Sequence, residues 1–258
     1  MSERLAHAKI NLALVVGPLR ADGKHEVTTV LQRVGLADRI ELEPASETTV
    51  EGFAEDTLVR RALECSGGTW HARIDKRIPV AAGLGGGSSD AAAALALTNE
   101  TAGLPAERLR ELAGGLGADV PFFLAEGPQL GEGDGSTLTP LELPQTFTVL
   151  LFLPAGAVKP STASVYAAFD RRDGAAGYAE RRAALLAALA AGDLAALPPN
   201  DLATSEFTDE LRGLGAFRAD VSGAGPTVYG LFWDEPAAVA AAASLEARGR
   251  VWIVPPAW

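Results

Sequence analysis

The densest chemical signal in the chain is Pro79-Val80-Ala81-Ala82-Gly83-Leu84-Gly85-Gly86-Gly87-Ser88-Ser89, four glycines in five positions directly before an Ala/Leu-rich stretch. Glycine reaches positive φ without a steric penalty and lets backbone approach a ligand closely, so successive N–H groups can converge on phosphate oxygens. The helix predicted from Ser88 adds unpaired N–H groups and the positive end of its dipole. Ser88 and Ser89 supply hydroxyls for capping, phosphate contact or a metal-bound water. Taken alone, the segment also reads as a flexible turn with a serine cap. Two other phosphate-binding spellings do not fit. No lysine follows the glycines as a P-loop requires, and the Gly-x-Gly-x-x-Gly frames from Gly83 and Gly85 end on Ser88 and Asp90.

Other residues stand out by type and setting. Lys9 lies inside the alternating strand Ala8 to Val16, where an unpaired ammonium is expensive to bury, so it either snorkels to solvent or meets a carboxylate. Asn11, two residues on, shares its face. Asp119 sits on a turn after a helix, placed either to accept a proton or to act as a structural turn residue. His25 follows the turn Asp22-Gly23 and, as a lone loop histidine, would ordinarily be solvated. Ser222-Gly223-Ala224-Gly225 reads equally as a close backbone approach or a plain turn. The single Cys65 forms neither an internal disulfide nor a multi-cysteine metal site and reads as a filler in or near the core.

The elements that must position these residues follow from periodicity. Strands are expected at Ala8 to Val16, Arg39 to Pro44 and Trp70 to Asp75, and helices at Asp56 to Ser66, Ser88 to Asn99 and Pro105 to Leu116. A polar Gly/Pro-rich passage, Gly127 to Pro144, leads into the buried-strand run TFTVLLFLP, which puts the lobe boundary near Pro144. Further helices are expected at Thr162 to Phe169, Ala175 to Ala191, Thr204 to Leu214 and Pro236 to Arg248, with strands at Thr227 to Trp233 and Val251 to Val254. Strands and helices mix without regular alternation, which predicts an α+β class.

Composition narrows the options. With 258 residues, 48% hydrophobic, the chain can bury a large core. A net charge of -11 argues against a broad footprint for nucleic acid or anionic lipid, so an anionic ligand must be attracted by local geometry. Neither a signal-peptide pattern nor an apolar run of spanning length is seen, and a cytoplasmic protein is expected.

The glycine loop resembles the Pro-x-x-x-Gly-Leu-Gly-Gly/Ser-x-Ser-Ser motif of the GHMP kinases, in which it wraps the phosphates of ATP. Ala8-Lys9-Ile10-Asn11-Leu12 resembles that family's N-terminal motif, and Val221 to Val228 its C-terminal Ser-Gly-x-Gly motif. Arg20-Ala21-Asp22-Gly23-Lys24-His25-Glu26 and Gly117-Ala118-Asp119-Val120-Pro121-Phe122-Phe123 are similar to motifs of the diphosphocytidyl-methylerythritol kinases within it. Leu36-Ala37-Asp38 and Asn200-Asp201-Leu202 fit the same group less specifically.

The resemblance implies a two-lobed α+β fold, with a ribosomal-protein-S5-like lobe at 1–144, a ferredoxin-like lobe at 145–258, and the active site in the cleft between them. It implies ATP with Mg2+ as cofactors, the nucleotide held by residues 79 to 89, and a cytidine diphosphate sugar alcohol of the non-mevalonate isoprenoid route as acceptor. Asp119 corresponds to the catalytic carboxylate, and Lys9 is expected to pair with it and keep it ionised. Asn11, Lys24, His25, Ser222 and Gly223 are expected toward the acceptor, with His25 at the cytosine. The sequence departs from the pattern at Lys24, where the family usually has a tyrosine that stacks on the base; recognition of the ring is then either weaker, or made by a cation over the base, or made by another aromatic such as Phe169 or Tyr166. No acidic pair for the metal is evident, and only Ser88 or Ser89 is suggested near it. A monomer or weak homodimer is expected. Open alternatives are a GHMP kinase acting on homoserine, mevalonate or a sugar, and a catalytically silent nucleotide-binding relative; the joint presence of Lys9, Asn11 and Asp119 argues against the latter.

Overall fold

A computed structural model describes residues 1–53, 58–158 and 161–257. In chain order the first elements are β1 (Ser2–Leu19), β2 (His25–Pro44), β3 (Thr49–Glu51), α1 (Leu58–Ser66), β4 (Trp70–Asp75), α2 (Gly86–Ala102), α3 (Ala106–Leu116) and α4 (Val120–Leu124). There follow β5 (Gln129–Glu132), β6 (Thr137–Pro140), β7 (Thr148–Pro154), α5 (Thr162–Arg171), α6 (Tyr178–Ala190) and α7 (Glu206–Gly213). The chain closes with β8 (Arg218–Val221), β9 (Val228–Phe232), α8 (Glu235–Leu245), β10 (Gly249–Val254) and β11 (Pro256–Ala257). The class is α+β, as the mixed pattern of strands and helices led one to expect. The first two residues of the helix expected from Asp56 lie outside the described residues.

Two compact units emerge, each discontinuous in sequence: Met1–Ala8, Leu36–Val80 and Gly85–Glu126 in the first, and Lys9–Gly35, Ala81–Leu84 and Gly127–Trp258 in the second. In the first unit, β4 pairs antiparallel with the end of β2 from Arg39↔Asp75 to Pro44↔Trp70, and β3 runs parallel to β4. Helix α2 is its core. Ser89 to Leu95, Leu97 and Thr98 are all buried, so the helix is enclosed rather than amphipathic, which its alanine-rich sequence permits. It ends where Gly103, left-handed at φ 62°, donates to Asn99 O.

The first unit also buries charge. Lys76 donates from Nζ to Asp38 Oδ2 (2.5 Å) and Asp90 Oδ2 (2.6 Å), both acids being essentially inaccessible. Asp38 Oδ1 accepts from the backbone N–H of Ile78 at 2.8 Å, whereas Asp90 Oδ1 is buried with no hydrogen-bond partner. Burial pushes the Asp90 carboxyl up to about 8; the Lys76 ammonium pulls against this and the Asp38 charge adds to it.

In the second unit, β5 pairs antiparallel with β2 (Thr29↔Gly131 to Leu31↔Gln129), β5 and β6 form a hairpin, and β11 joins β2 at Val34 and Arg33. A separate antiparallel sheet runs β10-β7-β9-β8. Leu150, Phe152, Val228 and Phe232 on this sheet pack with Leu211 of α7 and Ala238, Ala241 and Leu245 of α8. Asp234 caps α8 by accepting from Ala237 N, with Pro236 in the first turn.

Several elements were not expected. β2 is a continuous strand of 20 residues, of which the pattern reveals only the end. Its first half buries Thr28, Thr29 and Gln32, which masks the apolar signal, and Gly35 interrupts it because a Cβ there would lie 2.9 Å from Pro255 Cδ. The passage from Gly127 to Pro144 contains the β5–β6 hairpin, and β8 and α4 are too short for periodicity to expose.

A carboxyl with a raised pKa in the folded state holds a proton that the unfolded chain releases above about pH 4. The stability contribution of Asp90 therefore falls as pH rises from about 4 toward about 8. Replacing Asp90→Asn should flatten urea-unfolding stability across that window, by at least the ~1.4 kcal/mol that one pKa unit represents. An unchanged pH slope in the variant would assign the slope to other groups.

Candidate functional site

Along the chain the glycine loop falls in two stretches, Ala81–Leu84 in the second unit and Gly85 onward in the first, each with its own anchors. In the second unit, Lys9 N donates to Leu84 O (2.9 Å), Thr227 N to Ala82 O (3.2 Å) and Ser222 Oγ to Gly83 O (2.9 Å). Ala81 (φ 56°) and Gly83 (φ 81°) are left-handed, and Gly85 (φ 70°), in the first unit, continues the alternation. Alternating left-handed residues turn successive N–H groups toward one side, the geometry of an anion-binding nest. Ala81 holds this conformation despite its Cβ, a sparsely populated state.

From Gly85 the chain enters α2, with Ser89 N donating to Gly85 O (2.9 Å) and no side chain capping the helix. The first-turn N–H groups thus have no side-chain acceptor, and Ser88 and Ser89 are not caps. Ser89 is buried and Ser88 half-buried, while Val80, on the approach to the loop, is exposed. Ala82 is buried and Pro79 half-buried.

Asp119 stands at the start of α4 with φ -81° and ψ -17° and is half-buried; its side chain makes no capping bond. Gly117, in extended backbone, accepts at its carbonyl from Val120 N (3.1 Å), and Pro121 occupies the first turn. The carboxylate is therefore not spent on its own helix.

In the second unit, four of the residues singled out from sequence come together around β1. Lys9, only 5% exposed, donates from Nζ to Asn11 Oδ1 (2.8 Å); Asn11 Nδ2 donates to Thr29 Oγ1 (2.8 Å); and Thr29 Oγ1 donates to Ala13 O (2.7 Å). Same-face spacing on a strand makes the Lys9–Asn11 contact possible. The Ser222–Gly225 turn closes with Gly225 N donating to Ser222 O (2.9 Å), and both Gly223 (φ 57°) and Gly225 (φ 79°) are left-handed. A Cβ on Gly223 would lie 3.5 Å from Asn11 Oδ1 and 3.8 Å from Lys9 Nζ. The turn backbone thus runs beside the Lys9–Asn11 pair. Thr29 is the member that sequence reasoning missed; a threonine inside a strand carries no signal of its own.

His25 is not a solvated loop residue. It opens β2, is buried, and Nδ1 lies 2.9 Å from Gly17 O. A carbonyl only accepts, so the ring hydrogen sits on Nδ1. The ring stacks on Tyr166 (5.0 Å between centroids, 21°), meets Phe169 edge-on (5.7 Å, 88°), and brings Nε2 within 3.3 Å of Asp170 Oδ1. Tyr166 and Phe169, weighed from sequence as aromatic substitutes, both meet His25 from α5, and Asp170 was not foreseen. Lys24 points elsewhere: its ammonium is 2.5 Å from Asp134 Oδ2 in the β5–β6 turn, and Ser136 N and Oγ also donate to Asp134 Oδ1. These bonds hold the Asp134 carboxyl down at about 2. Cys65 is exposed at the end of α1, its thiol pushed up by partial burial, and takes no part in either cluster.

The donor chemistry fits a nucleotide. Among the described residues no cluster of three or more His, Cys, Asp or Glu could hold a metal ion. Mg2+ commonly keeps its waters and binds through one or two carboxylates together with substrate phosphates, so the loop's N–H groups suit the phosphates rather than the ion.

Comparisons agree with this chemistry. Residues 49–127 match the family model described as the GHMP kinases N terminal domain, and residues 179–251 match the GHMP kinases C terminal model. A 4-diphosphocytidyl-2-C-methyl-D-erythritol kinase of Nocardia farcinica is 41% identical, over 95% of this chain and 89% of the relative. The enzyme of that description from Geobacter sulfurreducens is 37% identical over 94% of each chain. A crystal structure of a 4-(cytidine 5'-diphospho)-2C-methyl-D-erythritol kinase superposes with a TM-score of 0.80 at 35% identity, covering all of both chains.

Within the loop the glycines differ in what surrounds them. A Cβ on Gly83 would lie 2.4 Å from Ser222 O and 2.7 Å from Gly225 O, at positive φ, whereas one on Gly87 would meet only Leu58 Cδ1 at 3.5 Å. Gly83→Ala should lower unfolding free energy by about 1–3 kcal/mol, while Gly87→Ala, inside α2, should raise it by roughly 0.5–1 kcal/mol. Thermal melts of the two variants check this, and equal melting temperatures would contradict the packing described.

Proposed function

The chain belongs to the GHMP kinases, in the branch of the 4-diphosphocytidyl-2-C-methyl-D-erythritol kinases, and from that membership we propose the reaction and the roles of its residues. The protein is a kinase of the methylerythritol phosphate route to isoprenoid precursors. It transfers the γ-phosphoryl group of ATP to the 2-hydroxyl of 4-diphosphocytidyl-2-C-methyl-D-erythritol. The observation that carries this reading is the run of left-handed residues 81, 83 and 85 leading into the uncapped start of α2, a phosphate-binding arrangement in a chain of this family.

Phosphoryl transfer passes through a loose, charge-spread transition state, so alignment and electrostatics are the protein's task. The backbone N–H groups of residues 83 to 89 hold the nucleotide phosphates, with Pro79 to Ala82 forming the approach. Asp119, its carboxylate not engaged in capping, accepts the proton of the 2-hydroxyl. Lys9 supplies positive charge near the transferred group, and Asn11, Ser222 and Gly223 orient the acceptor beside it. His25, with Nδ1 fixed on Gly17, contacts the cytosine, and Tyr166 offers the ring face that Lys24, turned to Asp134, does not. Mg2+ would arrive with ATP and neutralise charge on its phosphates, with Ser88 and Ser89 as the nearest hydroxyls. The two family models fall on either side of Pro144, which supports lobes at 1–144 and 145–258. Among the described residues no helix is long and apolar enough to cross a membrane. A cytoplasmic enzyme, monomeric or weakly dimeric, belongs to the same reading.

Purified protein with ATP and magnesium should release ADP selectively with the cytidine acceptor over homoserine, mevalonate and galactose; preference for another acceptor would move the specificity. Asp119→Asn should lower kcat by at least about 10²-fold while leaving ATP affinity nearly unchanged, because general-base assistance is removed and the phosphate cradle is not. Near-normal turnover would remove Asp119 from the chemistry. His25→Ala should raise the acceptor KM roughly 10-fold, the equivalent of about one hydrogen bond, with little change in kcat. An unaltered acceptor KM would count against a base contact.

A further inference from the structure

We propose that Asn200 is a positioning residue for this transfer: it clamps the Ser222–Gly225 turn whose backbone runs beside Lys9 and Asn11. The inference rests on the kinase reading above.

Asn200 is 5% exposed and its hydrogen-bonding groups are taken up in one place. Nδ2 donates to Val221 O (2.9 Å) and Gly223 O (2.6 Å), Oδ1 accepts from Leu202 N (2.8 Å), and the backbone N–H donates to Asp220 Oδ2 (2.9 Å). Asp220 is fixed in turn, accepting from Val221 N at 2.8 Å and lying 3.4 Å from Arg218 Nη2. Arg218 is itself buried and donates to Leu197 O (2.6 Å) and Pro198 O (2.9 Å), which ties the segment leading to Asn200 onto β8.

The clamp therefore runs from β8 through Asn200 to the entry and the second residue of the turn. Gly223 and Gly225 are left-handed and carry no side chain. Beyond the clamp, the turn is held by its own bond from Gly225 N to Ser222 O (2.9 Å), by Ser222 N donating to Thr227 O (2.9 Å) and by the Ser222 hydroxyl on Gly83 O, none of which holds the Gly223 carbonyl. Position 223 faces Asn11 Oδ1 and Lys9 Nζ, so a displacement of its carbonyl is felt at the pair assigned to the transferring group. The residue type is specific. Two donors must meet two carbonyls while an acceptor on the same planar group meets an N–H, which asparagine does and the isosteric aspartate, lacking donors when ionised, does not.

The test is Asn200→Asp, measured as the ratio to the parent enzyme across about pH 6 to 8, the range over which a buried carboxyl is able to titrate. The charged groups around the position are Asp220 and Arg218 of β8, Asp201 with its partner Arg181 of α6, and Lys9 of β1 across the turn. All are present in both proteins, so their own titrations largely cancel in the ratio. At the alkaline end kcat should fall by roughly 10- to 100-fold, the order expected for a misplacement of about 1 Å near a reacting group. The KM values for ATP and acceptor should change by less than about two-fold. Toward the acid end the protonated carboxyl regains one O–H donor and the ratio should recover. An unchanged kcat, a loss carried by KM alone, or a pH-independent ratio would overturn the assignment.

If Asn200→Asp does not fold, Asp220→Asn weakens the same clamp one step away and should lower kcat in smaller measure; an unchanged kcat there would overturn it. A parent protein inactive on the cytidine acceptor would defeat the kinase reading instead. The clamp would still be tested by hydrogen exchange, faster in the variant over residues 221–226 if Asn200 holds the turn and unaltered if it does not.

Discussion

The constraint on which the second unit depends is the backbone of β1. The strand is laddered to β2, and from Lys9 to Gly17 it is buried, so the polar groups on its other edge have no strand to pair with and no water to meet. They are satisfied one by one from elsewhere. Lys9 N donates to Leu84 O; the Tyr229 hydroxyl donates to Leu12 O (3.1 Å); Asp201 N donates to Leu14 O (2.9 Å); Val16 N donates to Asp201 Oδ2 (2.8 Å); and the His25 ring bonds to Gly17 O. Each partner brings a neighbouring segment with it: Leu84 the second-unit part of the glycine loop, Asp201 the Asn200 segment, and Gly17 the His25 ring. The need to satisfy one strand edge thereby gathers the segments that carry the candidate residues of the second unit.

Each unit also buries a lysine, and the two do so differently. Lys76 meets two acids, and burial, with the Asp38 charge adding to it, pushes the Asp90 carboxyl up to about 8. Breaking such a cluster by removing the cation would leave uncompensated buried charge, so it reads as a fixed structural element. Lys9 donates to the neutral oxygen of Asn11, whose amide is oriented by Thr29 and whose other side lies against a glycine turn, so this bond is fixed within the β1–β2 pair.

What could be read from the sequence follows from how each feature is encoded. The glycine loop is legible because contiguous residues carry it, and the long apolar or alanine-rich segments, such as β7 and α2, were found to within a few residues. β2 was mostly hidden because Thr28, Thr29 and Gln32 are buried polar residues, bonded to Tyr178, to Asn11 and to the backbone of Arg33, and they erase the strand's hydrophobic alternation. The family motifs pointed to Lys9, Asn11, His25 and Ser222, yet not to the hydrogen bonds that fix them. Those depend on Thr29, Asp170, Asp220 and the orientation of Asn200, which lie far apart in the chain and are individually unremarkable in type. What is ordinary for a lone loop histidine, a solvated side chain, does not hold at His25, because the strand begins at the histidine itself and α5 supplies the rings that bury it.

Lys24, the departure from the family pattern, shows how a local substitution is absorbed. Asp134, held by Ser136 and with its pKa down at about 2, is ionised throughout the neutral range, so the ammonium has a permanent partner in the β5–β6 turn. The Lys24 side chain is 60% exposed, so solvent screens the ion pair and it does not by itself fix the β1–β2 turn. Stronger anchoring comes from backbone: Val27 N donates to Gly133 O (2.7 Å), and Gly133 N donates to Glu26 Oε1 (3.1 Å). His25 lies between these anchors and its own bond to Gly17, with Tyr166 against its face. The exchange of an aromatic residue for lysine at position 24 therefore changes the surface of the turn, while the histidine next to it is held by contacts in which Lys24 has no part.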